Sequence, residues 1–325
     1  MFNVVIVGAG QLGSRHLQGL QLANTKIRVY VVDPSEASLL VAKTRFEEVA
    51  KVGSAAVDEV SYHTQLGELP KSIDLAIIAT NSNVRLRVLA DIIQHAHLKY
   101  LVLEKVLFPE VEQYFVAERL LKQHKIKSWV NCPNRTLNVY SDIKRIFTAD
   151  RLLRFDVSGG NWGLGCNSVH YLDLIQFITG EVVQEFSVES LDRCVYPSKR
   201  QGFIEFAGLL SGQTETGVIV TLSSKNDSSA RPLVMIRGES SSMIVDQAKQ
   251  KLLRSEHDGE WKEELFRLPM QSERTGSLVD TILESGSCNL PTYEDSLKVH
   301  LPFLGALMKH LKRIEHSSCD ICGIT

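Results

Sequence analysis

Val4-Val5-Ile6-Val7-Gly8-Ala9-Gly10-Gln11-Leu12-Gly13, near the start of the 325-residue chain, decides how the rest is read. Four strand formers run into a G-x-G-x-x-G, and the segment from Gln11 to about Ala23 suits a helix. A second strand, Ile27 to Val32, ends in Asp33, twenty positions after Gly13. Gly8 permits a tight turn, Gly10 leaves the backbone bare, and Gly13 lets the helix pack on the strand. The helix N-terminus adds unsatisfied N–H groups and a partial positive charge, which suit a pyrophosphate. Asp33 can accept hydrogen bonds from both hydroxyls of an adenosine ribose and would repel a 2′-phosphate. A glycine fingerprint alone occurs by chance, but here strand, helix and acid stand in the order that dinucleotide binding requires. The pattern favours NAD, while Arg15 and Lys43 keep NADP as the alternative.

Beyond Asp33, strand and helix continue to alternate. Residues 35–50 read as a helix, and 51–72 hold one or two short strands. Ile73 to Thr80 is a nearly continuous apolar strand, as in a parallel sheet covered on both faces. Thr80-Asn81-Ser82-Asn83 follows, with Ser82 or Asn83 as the cap of a helix to about His95. The strand 100–103 stops at Glu104-Lys105, a helix opens at Pro109-Glu110 and runs to about His124, and Lys127 to Asn131 is a further strand. This predicts a doubly wound parallel α/β domain over residues 1–131. Its ligand loops at Gly8–Gly13, Asp33, Thr80–Asn83, Glu104–Lys105 and Asn131–Arg135 then share the C-terminal edge of the sheet.

From residue 132 the pattern changes. A helix over 137–149 is followed by strand-like segments at 152–158, 182–190, 202–210, 214–223, 232–238, 242–246, 249–254 and 261–268. Short turns at Ser211-Gly212, Gly238-Glu239-Ser240 and Asp258-Gly259 pair them. A helix from about Cys166 to Thr179 interrupts the strands, and helices over 274–285 and 293–314 follow. Residues 132–325 are expected to form an α+β domain with a large, mostly antiparallel open sheet. Its edges need cover, which a homo-oligomer through the sheet would supply.

Composition bounds the partners. Hydrophobic residues make up 44% and charged residues 23%, as in a soluble globular protein. A net charge of −2 gives no electrostatic reason to expect nucleic acid or an anionic membrane. No apolar stretch is long enough to span a bilayer, and the apolar opening is too short for a signal peptide, so a cytoplasmic location is expected. The six cysteines, at 132, 166, 194, 288, 319 and 322, form no disulfide framework and are expected to stay reduced. Cys319-Asp320-Ile321-Cys322 lacks a second ligand pair and reads as a loose tail rather than a zinc or redox site.

Two further places carry chemistry. On the helix 166–179, Cys166, His170 and Asp173 fall at i, i+4 and i+7 and share a face, with Asn167 at its edge. The glycine-rich approach Gly159-Gly160-Asn161-Trp162-Gly163-Leu164-Gly165 lets this helix begin close to a ligand. His170 changes charge near neutral pH and is the natural general acid or base. The plain alternative is a structural histidine held by Asp173. Lys105, at the end of a buried strand, can hydrogen-bond a substrate hydroxyl and favour its alkoxide as hydride leaves carbon. Glu104 would orient the ammonium or stand behind it as an acid; the plain alternative for Lys105 is a surface lysine.

Together these residues resemble the glucose–fructose oxidoreductase, inositol 2-dehydrogenase and rhizopine-catabolism family (Gfo/Idh/MocA). The resemblance rests on Gly8-x-Gly10-x-x-Gly13-x-x-His16, the Ala79-Thr80 strand end, Glu104-Lys105, and the glycine-led helix with His170-x-x-Asp173 and Gly180. It spans essentially the whole chain. It implies an N-terminal Rossmann domain and a C-terminal domain whose open sheet often makes an oligomer interface. It also implies a sugar, cyclitol or sugar derivative held between nicotinamide, Lys105 and His170; no metal is expected, because lysine and histidine can provide the electrostatic and proton-transfer roles. By the same resemblance Gly8, Ala9, Gly10, Gln11, Leu12 and Gly13 cradle the pyrophosphate and Asp33 holds the ribose. Thr80, Asn81 and Glu104 lie by the nicotinamide half, and Arg135, Trp162, Asn167 and Asp173 contact substrate.

Two departures stand out. The family's Glu-Lys-Pro reads Glu104-Lys105-Val106, which relaxes the loop but keeps the lysine. Its Asp-x-Gly-x-His reads Cys166-x-Ser168-x-His170, without the carboxylate four residues before the histidine. Asn167 is a candidate for the polar contact, and Asp173 for support of the imidazole. The phrases Leu103 to Phe108 and Asn161 to Asn167 resemble a bacterial branch associated with surface-polysaccharide or nonulosonic-acid sugars. For an acidic or nucleotide-linked sugar, Arg135, Arg193, Lys199, Arg200 and Arg231 offer cations. The function expected is that of an NAD(P)-dependent oxidoreductase. The alternatives are a non-catalytic NAD-binding sensor, or a lyase or epimerase that keeps its NAD bound.

Overall fold

The structure is a computed structural model and describes residues 1–50, 56–257, 259–315 and 320–325. The chain forms two compact units. The first comprises Met1–Phe108, Glu112–Asn131 and Pro269–Tyr293, and the second Pro109–Val111, Cys132–Leu268 and Glu294–Thr325. The contiguous division at 131/132 read from the sequence differs from this at 109–111, which joins the second unit, and at 269–293, which returns to the first.

The first unit is built on a six-stranded sheet. Its elements are β1 (Phe2–Val7), α1 (Gln11–Leu20), β2 (Ile27–Val32), α2 (Glu36–Ala50), β3 (Val57–His63), β4 (Ser72–Ile78), α3 (Ser82–His95), β5 (His97–Leu103), α4 (Val111–Gln123) and β6 (Lys127–Val130). The strand order is β3-β2-β1-β4-β5-β6, and every pair is parallel. Parallel strands joined by crossover helices are covered on both faces, which is why β1 and β4 read as unbroken apolar runs. Val4, Ile6, Val29, Val31, Leu75, Ile77 and Val102 meet Leu17 and Leu20 of α1 in one buried core. β3 supplies a strand expected within 51–72, although 51–55 lie outside the described residues. The cap expected from Ser82 or Asn83 is instead Asn81, which makes no side-chain capping bond, while Ser82 is buried as the first helical residue.

The second unit holds α5 (Asn138–Ala149), β7 (Leu152–Gly160), α6 (Leu164–Thr179), β8 (Phe186–Leu191), β9 (Tyr196–Pro197), β10 (Ile204–Glu205), β11 (Gly208–Gln213), β12 (Ile219–Lys225), β13 (Leu233–Gly238), β14 (Ser241–Asp246), β15 (Lys251–Glu256) and β16 (Trp261–Leu265). An eight-stranded sheet runs β16-β15-β14-β13-β7-β12-β11-β8. Only β7 and β12 pair in parallel; its other pairs are antiparallel. β9 and β10 form a separate antiparallel pair. β11 runs through the predicted Ser211-Gly212 turn, and the reversal falls instead where the Gly217 N–H bonds Thr214 O.

Two helices follow the strands. α7 (Gln271–Ser285) belongs to the first unit, and α8 (Tyr293–Glu315), apart from Tyr293, to the second. Val279, Ile282 and Leu283 of α7 enter the core around α1. The Asp280 carboxylate accepts the N–H groups of Asn24 and Thr25 just past the end of α1. The turn between α1 and β2 is thereby tied to α7.

The tail expected to be loose is packed. Cys322 and Ile324 are fully buried; Cys322 N donates to Pro109 O, and Ile204 N to Gly323 O. Cys319 of the C-x-x-C lies outside the described residues, as does Asp258 of a predicted turn. Among the described residues no disulfide forms, and no helix is long and apolar enough to cross a membrane.

Candidate functional site

The strand ends of the first unit bring the predicted cofactor residues together. Gly8 turns the chain out of β1 at φ 95°. A Cβ at Gly13 would lie 1.7 Å from the Gly8 carbonyl oxygen, so helix and turn are in direct backbone contact. Gly10 is different. Its φ of −65° suits any residue, and a Cβ there would meet nothing within 4 Å. The folded chain itself does not need a bare backbone at Gly10, so the glycine fits the close approach of a ligand. Gly10 caps α1 without a side-chain bond, which leaves the Gln11 and Leu12 N–H groups without intrahelical partners. Those donors and the exposed Gly10 fit the pyrophosphate of a dinucleotide.

The two glycines predict a split. Gly13→Ala is expected to prevent stable folding. Gly10→Ala is expected to leave the melting temperature within about 2 °C of the parent, because surface changes rarely exceed about 0.5 kcal/mol, yet to weaken NADH binding. Thermal melts and NADH titration check this; unchanged NADH affinity in Gly10→Ala would remove the loop from the cofactor site.

Asp33 is already aligned. Its Oδ2 accepts the Ala9 N–H at 2.7 Å and its Oδ1 the Ser35 N–H at 2.8 Å, which anchors the carboxylate to the glycine loop. The two cations that kept NADP open have other partners: Arg15 donates to Gln18 Oε1 at 2.7 Å, and Lys43 lies 3.9 Å from Glu47. Arg45, not singled out in the sequence, donates to Ser14 Oγ and to Gln11 Oε1, bracing the first turns of α1. At the end of β4, Thr80 Oγ1 is buried and has no hydrogen-bond partner among the described residues. A hydroxyl in that state suits a ligand that supplies the partner. Asn81 beside it is exposed.

Glu104 is a buried anchor rather than a surface contact. Its Oε1 lies 2.8 Å from His16 Nε2 and accepts the Asn131 amide at 2.5 Å. His16 Nδ1 is 3.1 Å from Thr275 Oγ1, and Gln271 of α7 accepts a second bond from Asn131 at 3.1 Å. Burial pushes the Glu104 carboxyl up, but the His16 imidazole, the Asn131 amide and the Lys105 charge outweigh it and hold Glu104 below the ordinary carboxylate range. An ionised carboxylate therefore precedes Lys105, which is half-buried at the end of β5. The loop expected to relax without proline is instead packed: Val106, Leu107 and Phe108 are fully buried, and the Lys105–Val106 peptide is cis.

In the second unit, Asn161 and Gly163 take positive φ and turn the chain from β7 into α6. The Trp162 indole donates to Ser223 O at 2.7 Å and meets Tyr171 edge-on at 5.4 Å. The Asn167 amide donates to Trp162 O at 2.7 Å, so it braces this turn. Glu205 of β10 accepts the Gly165 N–H at 2.7 Å and the Cys166 N–H at 3.1 Å. A carboxylate thus sits on the positive end of α6, a favourable place for it. Position 166 lacks its acid, and the helix start is served from β10 instead. His170 follows one turn later and is half-buried.

Two residues expected at the substrate, Arg135 and Asp173, pair with each other. Arg135 grips Asp173 in a two-point pair, Nε to Oδ2 at 2.8 Å and Nη2 to Oδ1 at 2.6 Å. The side chains are 12% and 2% exposed. Asp173 therefore serves Arg135, not the His170 imidazole, and Arg135 spends its charge inside the fold. Burial pushes the Asp173 carboxyl up to about 6, and the Asp295 charge adds to the rise; Arg135 pulls the other way without cancelling it.

Some of what shapes these regions had no local signal. Glu205, Gln271 and Thr275 reach their partners from far along the chain. Arg85 did leave one: Ser82, Arg85, Leu89 and Ile92 are the buried stripe of α3, so helical spacing alone puts a cation among buried positions.

Comparison with known proteins agrees with this architecture. Residues 2–132 match the family model described as oxidoreductase family, NAD-binding Rossmann fold. No curated protein matches the chain in sequence. Among solved structures, levoglucosan dehydrogenase in complex with NADH and levoglucosan is 12% identical, with a TM-score of 0.72 over 96% of this chain and 98% of that one. Apo scyllo-inositol dehydrogenase from Lactobacillus casei is 17% identical, TM-score 0.69, covering 96% of each chain. The super-repressor mutant of Gal80p from Saccharomyces cerevisiae is 14% identical, TM-score 0.74, over 98% of this chain and 100% of that one. At these identities the likeness is one of fold.

Proposed function

Residues 2–132 match the family model of NAD-binding Rossmann-fold oxidoreductases, and from that premise we propose that the chain is a Gfo/Idh/MocA-type oxidoreductase that moves hydride between NAD and a CH–OH or keto carbon of a sugar, cyclitol or sugar derivative. The observation that carries the proposal is Lys105: a half-buried lysine directly after a buried carboxylate, at the strand-end edge that also bears the bare Gly10 loop and Asp33. When bound, NAD supplies the hydride acceptor or donor at its nicotinamide ring. Gln11 and Leu12 hold the pyrophosphate by backbone N–H groups, Asp33 takes the ribose hydroxyls, and Thr80 Oγ1 and Asn81 serve the nicotinamide half. Lys105 donates to the substrate oxygen and stabilises the negative charge that grows there as hydride leaves. His170 takes the hydroxyl proton in oxidation and returns it in reduction. Glu104 keeps the Lys105 turn in place, and Asn167 and Trp162 shape the start of the helix that bears His170.

Asp33→Ser is expected to weaken NADH binding about tenfold or more, since it removes charged hydrogen-bond acceptors worth about 1.5–3 kcal/mol each, and to narrow the preference for NADH over NADPH. Parallel titrations with both cofactors check this, and an unchanged ratio of the two affinities would contradict the role of Asp33.

The eight-stranded sheet supports a homo-oligomer. On β13, Leu233 and Met235 alternate with buried neighbours and are 41% and 46% exposed, and Ile219 of β12 is 38% exposed. Charged substitutions there should dissociate the assembly, as sedimentation would show. We place the reaction in the cytoplasm, where the thiols stay reduced.

The functional test is oxidation of cyclic polyols and sugars by NAD in the wild-type protein and in His170→Ala. Turnover in the wild type that falls in His170→Ala supports the proposal. Unchanged turnover in the variant removes His170 from the reaction.

A further inference from the structure

Arg85 heads the fully buried side chains by size among the described residues. Its guanidinium does not reach solvent. Nη1 donates to the carbonyl oxygen of Val106 and, at 2.7 Å, to that of Leu107, and Nη2 donates to that of Thr80. Thr80 lies just past the end of β4, and Val106 and Leu107 lie just past Lys105 at the end of β5. These strands are neighbours, paired to Ile78 and Leu103 at their last residues. One planar fork therefore joins the two loops that carry Thr80-Asn81 and Lys105. Its donors are fixed relative to one another, so the carbonyls it holds are fixed too; a lysine ammonium on a flexible stem imposes no such geometry.

Burying a cation is costly unless its donors are used. A core position of α3 would be filled more simply by leucine, and its occupation by arginine needs a reason. The surroundings give one. The residue after Lys105 is valine, so no ring restricts the backbone there. On the upstream side Lys105 is tied through Glu104 to His16 and Asn131. On the downstream side the Arg85 donors hold the Val106 and Leu107 carbonyls, and the Tyr114 hydroxyl holds the backbone of Phe108 that follows. We propose that Arg85 is a positioning residue for Lys105: it fixes the Lys105–Leu107 turn to the Thr80 loop, so that the ammonium and the nicotinamide contacts keep one geometry. The proposal rests on the role of Lys105 given above.

The test follows Lys105 directly. Lysines are reductively methylated with 13C-formaldehyde, and the Lys105 resonance is identified by its loss in Lys105→Arg. In the wild type, NADH is expected to shift this resonance. In Arg85→Met, NADH should still bind, by fluorescence, with affinity within about tenfold of the parent, yet the Lys105 shift should be lost. Hydride transfer in a single turnover should fall about 100-fold, the scale of a displacement near 1 Å. Arg85→Lys should recover part of both. An Arg85→Met protein with the wild-type Lys105 response and rate overturns the proposal. Should Arg85→Met not fold, Arg85→Lys decides: a reduced Lys105 response at a near-parental melting temperature supports the clamp, and a wild-type response overturns it. A wild-type Lys105 resonance indifferent to NADH contradicts the parent reading instead. The clamp is then judged by the position of the Lys105 line, which must move in Arg85→Met for the proposal to stand.

Discussion

Lys105→Ala is expected to slow the chemical step about 10²- to 10³-fold, the loss seen when one preorganised donor is taken from a developing oxyanion. NADH affinity should change little, because the groups proposed to hold the pyrophosphate and ribose lie elsewhere on the sheet edge, on the glycine loop and at Asp33. The contrast separates catalysis from binding: a residue used in the transition state lowers kcat and kcat/KM together. Structure gives the expectation its force. Glu104 is held below the ordinary carboxylate range by His16, Asn131 and Lys105, and so places a fixed negative charge next to the ammonium in sequence. The turn that follows is buried. A surface lysine would have neither. Single-turnover rates in Lys105→Ala that match the wild type would contradict its role in the proposed mechanism.

Arg135→Met is expected to cost about 3–5 kcal/mol of stability near neutral pH, because it leaves a buried carboxylate without its partner. The pair joins the turn before α5 to the middle of α6, with Asp173 only 2% exposed. The cost should depend on pH, and the sign is fixed. Asp173 stands at about 6 in the fold, above the 3.8 of a free aspartate. A raised carboxyl binds protons more readily in the folded state. Its stabilising protonation is fully present below the unfolded value and is lost as pH rises through the folded one. Removing Arg135 takes away the group that lowers Asp173, so the folded value climbs further. The deficit of Arg135→Met should be largest above about pH 6 and shrink toward about pH 4. Denaturant unfolding of both proteins across that range measures it. A deficit that grows on acidification would show that Asp173 is not the group left unpaired.

Much of the fold could be read from the sequence because its signals are local. The glycine loop, the apolar runs at Val4–Val7 and Ile73–Ile78, and the acid at Asp33 each follow from neighbours in the chain. The same holds for the helix with His170. What was not legible depends on segments that meet only after folding. α7 looks like any late amphipathic helix, yet its Val279 and Ile282 complete the core around α1. Helical spacing sets Asp173 and His170 on one face and so predicts that the acid serves the imidazole. Arg135, nearly forty residues upstream, takes both of its oxygens. Cys166 leaves the start of α6 without an acid of its own, but Glu205 arrives from β10. Valine in place of the family's proline at 106 predicts a looser turn, but the buried Arg85 holds the carbonyls of Val106 and Leu107. In each case period and motif placed the element, and a long-range polar contact decided what its side chain does.

The likeness in fold to a dehydrogenase and to Gal80p leaves one decisive measurement. Purified protein is mixed with NAD and a panel of cyclic polyols and sugars, with scyllo-inositol and levoglucosan among them, and NADH is followed by its near-ultraviolet absorbance alongside Lys105→Ala. The account predicts NADH formation with at least one of these alcohols, and its near loss in the variant. Tight NAD binding with no hydride taken from any member of the panel would contradict it, and would point to a protein that binds the cofactor without using it.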